Sequence, residues 1–163
     1  MKTCILRASL LGDDPLYRDI EIPENQSLYD LAEAIVDAFG FDFDHAFGFF
    51  SELGWNIYDS PVRYELFVDM GMENGGMGSD DRPKAGSVKK TKISQAFTEP
   101  KQKMQFLFDY GDEWRFEIEA RDFAEKAKGV KYPRILDLKG VSPEQYPDWE
   151  DEDDDDEDDD EDD

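Results

Sequence analysis

Hydrophobic and polar positions divide this chain into several strand-like runs and one helix-like run. Thr3–Leu11 and Leu16–Ile22 read as two strands, with Gly12-Asp13-Asp14-Pro15 as the turn between them. Pro23 and Asn25 stop the second strand. Ser27 then stands as an N-cap, with Asp30 in the capping-box position three residues on. Leu28, Leu31, Ala32, Ile35 and Phe39 follow the spacing of one helical face, and Gly40 marks the helix end.

The second half reads as short strands. His45–Phe50, Trp55–Tyr58 and Arg63–Val68 are predicted extended, and Ile93–Thr98 a short helix. Met104–Asp109 and Trp114–Arg121 predict a hairpin around Tyr110-Gly111-Asp112-Glu113. Its second strand alternates, with Trp114, Phe116, Ile118 and Ala120 on one face and Arg115, Glu117, Glu119 and Arg121 on the other. Phe123–Lys128 reads as a charged helix or loop, Tyr132–Leu138 as extended, and Gly140–Pro147 as a closing turn. The order hairpin, helix, strands predicts a single α+β domain over residues 1–147, the helix lying on an antiparallel or mixed sheet. Residues 70–90 are Gly-rich and polar and are expected to form a mobile loop.

Charge changes this picture at the C-terminus. Every residue from Asp148 to Asp163 except Trp149 is Asp or Glu, so this run holds 15 of the 42 acids. It supplies more than half of the formal charge of −24, and the remaining body, with 27 acids and 18 bases, stands near −9. Fifteen adjacent like charges repel one another and bury nothing, which predicts a disordered tail over 148–163. Such a run points to a cationic partner. The net charge disfavours nucleic acid as a partner of the intact chain. No run approaches the roughly 18 apolar residues of a membrane span. One cysteine, Cys4, excludes an intramolecular disulfide and fits a reducing cytoplasm.

A family pattern is visible in these motifs. It comprises Tyr17-Arg18, Ile22-Pro23 and Ser27-Leu28, then a helix closing on Ala38-Phe39-Gly40-Phe41. It continues through His45, Phe47, Asp109-Tyr110-Gly111-Asp112-Glu113-Trp114, Tyr132-Pro133, Gly140 and Pro143-Glu144. The chain resembles the plasmid pRiA4b ORF-3-like family from residue 16 to about 146. That resemblance implies a compact α+β fold and no defined reaction. It also marks departures, because family members often carry His-x-His where this chain has His45-Ala46-Phe47, and a His where it has Phe116.

Candidate chemistry is sparse. His45 with Asp42, Asp44 and Asp109 or Asp112 offers a His/carboxylate set for a hard metal. Asp109 and Asp112 are also a carboxylate pair for acid/base work or Mg²⁺, against which stands the preference of tight turns for Asp and Gly. Cys4 with His45 is the one Cys/His combination, but an apolar strand favours an inert thiol. The glycines between Gly71 and Gly78 lack the Lys-Ser/Thr ending of a phosphate loop. Arg82, Lys84, Lys89, Lys90, Lys92, Lys101 and Lys103 form a basic segment interrupted by a single acid, Glu99. No cofactor motif is present. The resulting expectation is a non-catalytic interaction module whose tail acts as a polyanion toward cationic protein surfaces. The alternatives are a nucleic-acid-binding protein masked by its own tail, a metal-assisted hydrolase on His45, Asp109 and Asp112, or a protein with a merely solubilising tail.

Overall fold

The computed structural model describes residues 1–12, 15–54, 56–71 and 84–145. The expected tail, 148–163, lies outside the described residues, as does the middle of the Gly-rich loop. A seven-stranded sheet organises the domain. Its strands are β1 (Lys2–Leu10), β2 (Tyr17–Pro23), β3 (Phe47–Phe50), β4 (Arg63–Glu65), β5 (Lys103–Phe108), β6 (Trp114–Glu125) and β7 (Arg134–Lys139). They lie in the order β4-β3-β5-β6-β1-β2-β7, every neighbouring pair antiparallel.

One helix, α1 (Leu28–Ala38), covers one face of this sheet. Ser27 Oγ accepts the Asp30 backbone N–H at 3.1 Å, and the Asp30 carboxylate accepts the Ser27 N–H at 3.3 Å, which closes the capping box. Leu28, Leu31, Ala32, Ile35 and Val36 are fully buried against Leu6, Ile20, Phe106, Phe116 and Ile118. The last turn of α1 contains no basic residue, and Arg18 supplies one from β2. Its Nε donates to the Ala38 carbonyl at 3.2 Å and its guanidinium lies over the Phe39 ring. A cation there complements the helix dipole and satisfies an orphan carbonyl.

Three expectations need correction. Phe123 does not begin a helix or loop, because β6 continues to Glu125 and Ala124 pairs with Thr3. A bulge hides this from the sequence. Leu6 faces Ala120 and Ile5 faces Asp122, so Arg121 is an extra residue that breaks the alternation. Ile57–Asp59 forms a 3₁₀ turn instead of a strand, and Trp55 lies outside the described residues. The strand expected over Arg63–Val68 ends at Glu65 and continues as α2 (Leu66–Asp69). Tertiary contact overrides local propensity here, since Phe67 packs on Tyr110 at 4.8 Å and the Asp69 carboxylate accepts from Ser87 and Val88. The expected short helix is present as α3 (Ile93–Ala96). The described end of the Gly-rich segment is anchored: Val88 is 0% exposed in the core, and Gly86 bridges to Tyr64.

Candidate functional site

Asp109 begins the turn between β5 and β6. Its Oδ1 accepts the backbone N–H groups of Gly111 (3.0 Å) and Asp112 (3.2 Å), an Asx turn. The Asp109 backbone has φ of +68°, a left-handed conformation that Asp tolerates. Its Oδ2 stands 3.4 Å from His45 Nε2, with Asp44 Oδ1 at 3.6 Å from the same nitrogen. The structure therefore brings His45 and Asp109 together. Asp112 is not part of that group; it is exposed and lines a different pocket beside Trp114. Among the described residues, no three His, Cys, Asp or Glu side chains converge to hold a metal ion. Asp109 and Asp112 share a turn through one backbone hydrogen bond, and one carboxylate oxygen of Asp109 is committed to that turn. Tyr110 leaves the pocket to pack on Tyr58 and Phe67, while Trp114 does line it.

Cys4 lies in the core between Ile22 and Phe123 and is fully buried. Desolvation, with a smaller push from the charge of Glu24, raises its thiol from about 9 to about 12. The native protein should not react with a thiol-specific disulfide reagent at pH 8, whereas the unfolded chain should titrate one thiol. The same shift gives stability a pH dependence. Above pH 9 the unfolded chain releases this proton and the folded chain retains it. Cys4's contribution is thus complete below pH 9 and falls by about 1.4 kcal/mol per unit as the pH rises toward 12. Thermal melts from pH 8 to 11 should show a shallower alkaline decline for Cys4→Val.

The basic residues divide in two. Lys84, Lys89, Lys90, Lys92, Lys101 and Lys103 are exposed, and Arg82 lies outside the described residues. Lys89, Lys90 and Lys92 line one cleft of about 490 Å³, where they meet Lys126 and Met1. The segment carrying the three lysines is strapped across the start of α1. Leu28 and Tyr29 donate their N–H groups to the carbonyls of Thr91 and Val88, and Ile93 donates to Gln26. Lys126 and Met1 arrive through the β1–β6 pairing, continued by the Lys126 N–H to the Met1 carbonyl at 2.8 Å. Lys89 Nζ sits 5.0 Å from the Tyr29 ring centre. The acids here are few: Asp30 lines the cleft, and Glu125 lies 3.9 Å from the terminal amine. Lys103 instead pairs with Glu117 at 3.4 Å on β6, and Lys101 follows the Ala120 carbonyl. Nothing local in the sequence marks Lys126 and Met1, because only the strand register brings them to Lys89.

The family model for plasmid pRiA4b ORF-3-like protein matches residues 3–148. The crystal structure of a protein of unknown function, MM3350 from Methanosarcina mazei Go1, superposes with a TM-score of 0.63 at 24% identity. The match covers 84% of this chain and 69% of that one, and it shows a shared fold. No curated protein matches the sequence.

Proposed function

We propose, from the premise that this chain belongs to the plasmid pRiA4b ORF-3-like protein family, that it is a non-catalytic interaction module whose acidic run acts as a polyanion toward cationic surfaces. The observation that carries this reading is the cleft of Lys89, Lys90, Lys92, Lys126 and the amino terminus on an otherwise acidic body. It is a cationic surface within reach of the acidic run itself. Gln145, the last described residue, is fastened by its side chain to the backbone of Asp42, just beyond the C-terminal end of α1. The cleft lies at the other end of that 11-residue helix, about 16 Å along its axis. Residues 146–163 extend to roughly 60 Å at most, so the acidic run spans that gap easily.

The cleft also favours a second reading, in which it binds polyphosphate backbones and the acidic run masks it. The same interaction underlies both, since a polyanion that covers this cleft must leave it to engage a cationic partner.

The test compares full-length protein with a 1–147 truncation, against duplex DNA and against a cationic protein pool, across a salt series. Loss of cationic partners on truncation supports the polyanion reading. Gain of DNA binding on truncation supports the mask. Identical behaviour of the two forms toward both ligands rejects the proposal.

A further inference from the structure

A pocket of about 610 Å³ opens where the ends of β1 and β6 meet the loop after β3. Leu10, Leu11 and Trp114 provide its apolar walls, and Gln105 and Arg115 contribute polar groups. Gln105 is 1% exposed and stands in an otherwise apolar stretch of β5. Its Oε1 accepts the Gly54 N–H at 3.1 Å, which fixes the amide orientation, because a flipped amide would place donor against donor. Its Nε2 is buried and has no hydrogen-bond partner among the described residues, and the same holds for Trp114 Nε1. Two orphaned donors on residues lining one pocket are uncommon, since buried donors are nearly always satisfied. Arg115 is held in place, donating to the Gly54 carbonyl at 3.0 Å and to Glu113 at 3.1 Å.

We propose that this pocket binds a small uncharged ligand with two carbonyl-type acceptors on an apolar body, a cyclic imide being the simplest such molecule. The two unpartnered groups are both donors, so the ligand must bring acceptors. Asp112 and Glu113 at the rim, against the single charge of Arg115, disfavour an anion. The volume lies within the range of small-molecule sites. Both donor atoms are buried on residues that line the pocket, so binding requires a small turn of the Gln105 and Trp114 side chains. None of the proposed polyanion chemistry is involved, and the two proposals stand or fall separately.

The experiment uses ¹⁵N-labelled full-length protein and follows the Trp114 indole N–H and the Gln105 side-chain amide. The probes are succinimide, glutarimide and cyclo(Gly-Leu), with cyclohexanol and succinate as controls. Titrations run to about 10 mM, the weak range expected for molecules this small. Saturable shifts of both resonances with the three probes are expected, with little response to either control. Trp114→Phe and Gln105→Met, checked for an unchanged fold by their backbone spectra, should each weaken binding about fivefold, the loss of one ordinary hydrogen bond. Three results would each overturn the proposal: no saturable shift with any of the three probes, succinate binding as well as succinimide, or undiminished binding by both variants.

Discussion

Arg63→Met should lower stability by about 3–5 kcal/mol, because it strands a buried carboxylate. The Arg63 and Glu65 side chains are both 0% exposed, with Nε to Oε2 at 3.0 Å. The other oxygen of Glu65 accepts the Tyr110 hydroxyl at 2.6 Å. The Glu65 carboxylate is held in this dry site by the Arg63 guanidinium and the Tyr110 hydroxyl. Removing the arginine leaves Glu65 either ionised in a dry environment or protonated at a cost, and either outcome favours unfolding. For a domain of this size the melting temperature should drop by roughly 10 °C or more. Arg63→Met combined with Glu65→Gln removes both charges and keeps an acceptor for Tyr110, so the double variant should recover most of the loss. Urea melts of the three proteins decide it. A single variant that loses under about 1 kcal/mol would mean that the pair is solvated and the argument fails.

That pair shows where sequence reading stops. Arg63 and Glu65 are two residues apart on a strand and therefore share a face, but nothing local says whether the face is wet or dry. The helix was legible because its signals are local: Ser27, Asp30 and the spacing from Leu28 to Phe39 lie within one element. The hairpin was legible for the same reason, and its alternation failed only at the bulged Arg121. The α+β class followed from the order of elements. Strand order did not, because it depends on which runs pair across the sheet. The functional surfaces depend on that pairing too. Asp109 and Asp112 looked like a pair, yet one faces His45 and the other lines the Trp114 pocket. Gln105 carried a readable signal, a lone amide among apolar strand residues, but its unpartnered nitrogen is a property of three dimensions.

The largest functional effect should appear in the salt dependence of the truncated protein. Suppose the cleft engages a phosphate backbone through all five of its cations, Lys89, Lys90, Lys92, Lys126 and the terminal amine. Counterion release then gives a log–log slope of about −4.5 on duplex DNA, and affinity should fall about 500-fold between 50 and 200 mM salt. Lys89→Glu/Lys90→Glu/Lys92→Glu leaves two cations, so the slope should shrink to about −2, with weaker binding at every salt concentration. All three side chains are exposed, and the fold should tolerate the changes, Lys89 giving up only its contact with Tyr29. The slope separates this cleft from its neighbours in a way that affinity alone does not. If Lys101 and Lys103 on the other side of the sheet were the contacts, the triple reversal would weaken binding at long range yet leave the slope near its original value. An unchanged slope would therefore move the site away from the cleft, and a reduced slope keeps it there. Under the mask reading, the acidic run of the full-length chain competes with DNA for those cations. Added salt should then weaken the mask and the DNA together, giving full-length protein a much flatter salt profile than the truncation.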